Sequence, residues 1–135
     1  MRNFELKILT PTGEAFSGEV SELFVRTTAG EVGILAGHTD YLAGIVPCVA
    51  KMTDGEGKER MAFCGGGFLS VVSGVMNLVV DELIFSEAID AEKVRLERDR
   101  LASEFSACDA KKQPERAEFL KSSLARAEIK MKACE

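Results

Sequence analysis

Apolar and polar residues alternate from the start of the chain. Phe4, Leu6 and Ile8 share one face at period two, with Glu5 and Lys7 on the other, the pattern of a half-buried strand over residues 4–10. Pro11-Thr12-Gly13 is a turn signal, because proline presets φ and glycine permits the reversal. Residues 15–17 give a short return, and residues 20–27 resume the alternation with Leu23 and Val25 facing in. Residues 30–38, with three glycines around Ile34-Leu35, predict a tight loop between strands that presents Glu31 and His38 while Val32, Ile34 and Leu35 pin it to a core. In residues 41–52, Pro47 cannot donate to a ladder and belongs at a strand start or an edge. Asp54-Gly55-Glu56-Gly57 predicts a hairpin turn. Met61-Ala62-Phe63 leads into Gly65-Gly66-Gly67, followed by residues 68–72, a Ser73-Gly74 turn and residues 75–80. Short strands with turn signals at close intervals predict a β-sandwich or barrel.

From Asp90 the period changes to that of a helix. Asp90 suits an N-cap and Glu92 suits the positive end of the helix dipole. Val94, Leu101, Phe105 and Cys108 form one stripe, with Ala91 and Ala102 at its margin. Pro114 fits the first turn of a second helix. Ala117, Leu120, Leu124, Ala127 and Met131 then repeat at alternating threes and fours, a coiled-coil-like seam. Two such helices joined by a short break predict an antiparallel hairpin. The fold class is therefore α+β, with a β-sandwich domain over residues 1–88 and a helical hairpin domain over residues 89–135. The seam is rich in alanine and thin, so a hairpin held by it can be released and docked elsewhere. Phe119 and Ile129 lie off the seam and call for a second covering surface.

Charge supports the division near residue 89. Residues 1–89 carry six Lys and Arg against twelve Asp and Glu, whereas residues 90–135 carry eleven against ten. An acidic body argues against nucleic-acid binding, which wants a basic patch. No apolar run approaches the ~18 residues that would span a bilayer, and the first residues lack a secretion signal, so a non-exported protein with no direct membrane insertion is expected.

Candidate chemistry is sparse. Cys48, Cys64, Cys108 and Cys134 include no Cys-x-x-Cys pair, and His38 is the chain's one histidine, so no metal site is expected. Free thiols packed as small hydrophobes fit a reducing compartment. A cysteine-dependent enzyme would have to combine Cys64 with His38. The competing reading of Cys64 and the glycine triplet is packing, in which small residues let chain segments approach closely. The triplet also lacks the lysine and hydroxyl pattern of a phosphate-cradling loop. No catalytic residue is assigned.

Thr10-Pro11-Thr12-Gly13-Glu14 with Phe16-Ser17-Gly18, Gly30-Glu31-Val32-Gly33-Ile34-Leu35 with Gly37-His38, Gly66-Gly67-Phe68-Leu69, and Ala88-Ile89-Asp90 occur in that order before a two-helix tail. In this arrangement the chain resembles the ε subunit of bacterial F-type ATP synthases. The resemblance implies a ten-stranded β-sandwich and a helical hairpin, in a non-catalytic central-stalk subunit. Such a subunit binds γ and the ring of c subunits, couples ring rotation to ATP synthesis, and peripherally occupies the cytoplasmic face of the bacterial plasma membrane. It implies that Glu31 and His38 face the ring. It further implies that an extended tail reaches the alpha/beta catalytic head and inhibits hydrolysis, with Phe119, Lys121, Arg126, Ile129 and Lys130 as contacts.

Some members of that family bind regulatory ATP through Ile/Leu-Asp-x-x-Arg-Ala. The matching segment here is Ile89-Asp90-Ala91-Glu92-Lys93-Val94. By that resemblance Asp90, Lys93, Arg100 and Arg126 would hold ATP, with a lysine in place of the arginine fork. Ile84 falls where the binding members have a glutamate, and Ser122 where they have a further basic residue. No other cofactor is implied. An alternative function is a stand-alone ATP-sensing sandwich and hairpin, which should purify alone rather than with γ.

Overall fold

The longest strand, β2 (Gly13–Thr27), belongs to both layers of the body. The computed structural model describes residues 3–37 and 40–134. Around β2 run β1 (Phe4–Thr10), β3 (Gly30–Leu35), β4 (Tyr41–Ile45), β5 (Cys48–Asp54), β6 (Glu59–Cys64), β7 (Gly67–Val72), β8 (Val75–Val80) and β9 (Leu83–Phe85). A single 3-10 turn at Ser86–Ala88 then leads to helices α1 (Ala91–Ala107) and α2 (Pro114–Ala133).

The first half of β2 pairs antiparallel with β1, from Phe4↔Val20 to Thr10↔Gly13. Its second half pairs with β3 and with β5. The register slips between Val20 and Glu22, and a slip of this kind bends and twists a strand. One layer therefore runs β2-β1-β8-β7-β4 and the other β3-β2-β5-β6-β9, with β1 and β8 parallel. Nine strands are present among the described residues. The two halves of β2, counted separately, supply the tenth that the resemblance implied.

The inward faces follow the alternation read from the sequence. Leu6, Ile8, Leu23, Ile34, Leu69 and Leu78 are wholly enclosed, and Val25, Met52, Val71, Met76 and Val80 complete the core. The Asp54 turn is also as expected, its carboxylate accepting from the Glu56 and Lys58 amides at 2.9 Å each.

The stretch 30–38 departs from its reading as a loop. Residues 30–35 form β3, an edge strand with Arg26 opposite Glu31 and Thr27 opposite Gly30. Only Gly30 (φ 120°) and Gly37 (φ 83°) use the left-handed freedom of glycine, at the two ends of the strand. Gly33 serves a different purpose, because a Cβ there would lie 2.5 Å from the Phe24 ring. Leu35 points outward, so Ile34 alone of the three apolar residues is fully buried. His38 lies outside the described residues.

Asp90 caps α1, its Oδ1 accepting from the Lys93 amide at 3.2 Å, and Pro114 opens α2. The helices meet through Leu101, Leu120 and Ala127, with Cys108 and Leu124 at the margin. Phe105 is exposed instead of joining this seam. It stands ~40° around the helix from Leu101, whereas Val94 and Cys108, a heptad away on either side, stay closer to its line. The opposite side of α2 packs on β5 and β6. Among the described residues no helix is long and apolar enough to cross a membrane.

Candidate functional site

Ala62, Phe63 and Cys64 are successive residues of β6, and all three are enclosed. A strand buried on alternate residues has one covered face, so three in a row require cover on both. The core takes Cys64, and α2 lies over Phe63. The Arg126 guanidinium stands 5.2 Å from the Phe63 ring centroid and the Lys130 ammonium 5.1 Å. Both cations also meet the acidic pair Asp81-Glu82, which links β8 to β9. Arg126 donates to the two Asp81 oxygens at 3.2 and 3.3 Å and to Glu82 Oε1 at 2.9 Å. Lys130 reaches the same Glu82 oxygen at 3.3 Å.

The backbone fixes this acidic pair. The Gly65 amide donates to the Glu82 carbonyl at 2.8 Å, and the Asp81 amide donates to the Gly66 carbonyl at 3.0 Å. A Cβ on Gly65 would sit 1.8 Å from Asp81 Oδ1, so only glycine leaves the carboxylate room to face Arg126. Close approach is therefore the work of the glycine triplet, and the packing reading of Cys64-Gly65-Gly66-Gly67 holds. Burial opposes the Arg126 charge, but hydrogen bonds to Asp81 and Glu82 outweigh it and raise its pKa further. The result is a polar latch: two cations of α2 held by two carboxylates of the body, with an aromatic ring beneath.

Three of the four residues matched to an ATP site have a side-chain role of their own in this conformation. Asp90 is the α1 cap, Arg100 pairs with Glu104 at 3.0 Å, and Arg126 belongs to the latch. Lys93 is exposed on the first turn of α1. Among the tail residues, Phe119 is 68% exposed and Lys121 is also exposed, while Lys130 is held by the latch. Ile129 is half-buried and, with Lys132, lines a cleft of about 730 Å³ together with Phe24, Lys51 and Met61. Glu31 borders the same cleft and pairs across the β2–β3 ladder with Arg26 at 3.3 Å.

The sequence reading missed Phe63, Asp81 and Glu82. The signal was present as an acidic doublet directly after a strand, facing a glycine triplet directly after another. The junction has a second clamp that was equally unread. Arg60 pairs with Glu87 at 2.8 Å and covers the Phe85 ring at 3.8 Å, and its hydrogen bond holds the Glu87 carboxyl below its usual pKa.

Comparison with known proteins places this architecture. Residues 3–86 match the family described as the ATP synthase delta/epsilon chain, beta-sandwich domain. The ATP synthase epsilon chain of Cutibacterium acnes is 32% identical over 98 residues, covering 72% of this chain and 67% of that one. The epsilon chain of Clostridium botulinum is 32% identical over 97 residues, covering 72% of each. Two cryo-EM structures share the fold at low identity. A chain of the Euglena gracilis mitochondrial ATP synthase superposes with a TM-score of 0.72 at 22% identity, covering 96% of this chain and 75% of its own. A chain of the Tetrahymena thermophila enzyme's central stalk and c-ring gives 0.59 at 19%, covering 99% and 98%. Motifs, sandwich and matches agree: the chain belongs to the ATP synthase delta/epsilon family.

Proposed function

We propose that this chain is the small non-catalytic rotor subunit of an F-type ATP synthase, working at the cytoplasmic face of a bacterial plasma membrane. In this reading the sandwich joins γ to the c-ring, Glu31 and His38 lie against the ring, and α2 brakes ATP hydrolysis when it leaves the sandwich. Family membership supports the place in the stalk. The observation that carries the brake is the way α2 is held, by charge pairs to Asp81 and Glu82 and by a short apolar seam to α1.

Released, α2 frees Arg126 and Lys130 and adds them to the already exposed Lys121 and Phe119. Phe119, Arg126 and Lys130 fall within about 40° of one another around α2 and form a cationic, partly aromatic face suited to an acidic groove in the alpha/beta catalytic head, with Lys121 on the opposite side. A helix inserted there would obstruct the closing motions that hydrolysis requires, and the head's grip would offset the lost latch. Only a few kcal/mol need separate docked from extended forms for a partner to shift the population.

The test is ATP hydrolysis by the assembled complex with residues 113–135 deleted. Hydrolysis is expected to rise several-fold, with the shortened subunit still present in the purified complex. Unchanged hydrolysis in a complex that retains the subunit would remove the brake from the proposal.

A further inference from the structure

Two of the four cysteines are direct cross-strand neighbours. Cys48 opens β5 and Cys64 closes β6, and they stand opposite each other as the terminal pair of that antiparallel ladder. Opposed residues of such a ladder have Cα atoms ~4.5–5.5 Å apart, inside the ~4.4–6.8 Å range that a disulfide spans. Both are free thiols, and both side chains belong to the same core cluster.

Their surroundings differ in a way that assigns roles. Cys48 follows Pro47 at the rim of the sandwich and is one of the residues lining the 730 Å³ cleft under α2. Its sulfur accepts from the Arg26 amide at 3.4 Å, a backbone donor that favours the thiolate. The neighbouring Cys64 thiol and the Arg26 amide lower the Cys48 pKa to about 7 against the burial that opposes them, while the Cys64 Sγ lies 3.5 Å from the Gly65 carbonyl oxygen, to which its S–H donates. Cys64 is wholly enclosed, and its pKa is raised by the neighbouring Cys48 sulfur and by burial. Cys48 is thus buried but keeps 7% of its surface open and borders the cleft, whereas Cys64 keeps none.

We propose that Cys48 and Cys64 form a peroxide-responsive dithiol, with Cys48 the attacking and Cys64 the resolving residue. The Cys48 thiolate attacks one oxygen of hydrogen peroxide; an S–O bond forms, the O–O bond breaks, and the departing hydroxide takes up a proton as water. Cys48 is then a sulfenic acid, oxidised by the two electrons the peroxide gains. The Cys64 sulfur attacks the sulfenic sulfur, an S–S bond replaces the S–O bond, and hydroxide leaves with the Cys64 proton as a second water. Two thiols and one peroxide give one disulfide and two waters.

The product would staple β5 to β6 at the end of their ladder. That end adjoins Gly65, the residue packed against the Asp81 carboxylate of the latch.

The full-length chain, reduced and then exposed to hydrogen peroxide, is digested under non-reducing conditions and analysed by mass spectrometry. A Cys48–Cys64 linked peptide is expected. In the Cys108→Ser/Cys134→Ser variant, whose two changes fall at half-buried positions just past the ends of α1 and α2, the intact mass should fall by two hydrogens with loss of both remaining thiols. Cys64→Ala should leave a sulfenic acid at Cys48 that a dimedone probe captures, and Cys48→Ala should leave Cys64 reduced. If the Cys48–Cys64 link fails to form under peroxide that oxidises Cys108 and Cys134 of the unchanged chain, the proposal is overturned. Dimedone capture at Cys64 in the Cys48→Ala variant, matching that at Cys48 in its counterpart, would overturn the assignment of roles.

Discussion

The sandwich and the hairpin are held by different kinds of contact. The sandwich closes over a continuous core in which Leu6, Ile8, Leu23, Ile34, Leu69 and Leu78 are wholly enclosed. Among the described residues the hairpin has four buried seam residues, Leu101, Ala117, Leu120 and Ala127, and two of them are alanine. Its grip on the body joins charge, Arg126 and Lys130 against Asp81 and Glu82, to a small apolar cover over Phe63 with Ala133 buried. Apolar burial is short-ranged and all-or-none across a packed core, whereas exposed ion pairs are individually weak and respond to salt. A part that must stay and a part that can leave are thus distinguished by chemistry as well as by position.

The largest effect should come from the core. Leu23→Ala removes enclosed volume between the layers and should lower body stability by about 2–5 kcal/mol, seen as a clear fall in the thermal midpoint. Leu120→Ala removes the same atoms from the thin seam. It should reduce helical signal in far-ultraviolet circular dichroism while leaving the body transition nearly in place. We propose on the same grounds that residues 1–88 fold alone with a cooperative β-type transition. That fragment would expose Phe63, which α2 now covers, so lower solubility without loss of structure is the expected cost. A Leu120→Ala change that lowers the main transition as much as Leu23→Ala would make body and tail one cooperative unit, ending the contrast.

The latch comes next. Arg126→Ala deletes the bidentate pair with Asp81, the bond to Glu82 and one of the two cations over Phe63. Exposed ion pairs are worth about 0–1 kcal/mol and a cation over a ring about 0.5–2, so docking should weaken by about 1–2 kcal/mol. Hydrogen exchange of α2 amides should accelerate by about ten-fold, since 1.4 kcal/mol is about a factor of ten. Raising the salt should have a smaller effect in the same direction, because exposed charges are screened beyond ~8 Å at physiological ionic strength. Exchange unchanged by both would mean that Ile129 and Ala133, rather than the charges, hold the helix down.

What the sequence made legible follows from the same physics. Period-two alternation located most strands because each has one covered face, and Asp90, Glu92 and Pro114 marked helix starts because capping is local chemistry. β9 escaped because three residues are too few to show a period. β3 was mistaken for a loop because its glycines look alike in sequence. Gly30 and Gly37 take positive φ, yet Gly33 makes room for a ring contributed by the neighbouring strand. The latch was half legible. Arg126 and Lys130 stood out as cations of the tail, but their partners lie 44–48 residues earlier. Nothing in a one-dimensional pattern ties Gly65 to Asp81 or Phe63 to Arg126.

The smallest effect on the fold should come from Glu31, and there the contrast between core and surface meets function. Glu31 lies on the edge strand β3, with its side chain 78% exposed. Its contact is one ion pair with Arg26, whose side chain is itself 58% exposed. A pair so open to water contributes about 0–1 kcal/mol, so Glu31→Ala should shift the midpoint by no more than about 4–8 °C in a domain of this size. If the residue faces the c-ring, the assembled enzyme should respond out of proportion to that shift. ATP hydrolysis would continue while the proton pumping it drives falls, and adding His38→Ala should deepen the loss. The ratio of pumping to hydrolysis is the measurement, because a merely destabilised subunit would lower both through poorer assembly. A large fall in the melting midpoint, with that ratio preserved, would make Glu31 part of the structure after all. The ring-facing role would then have to move elsewhere on the sandwich.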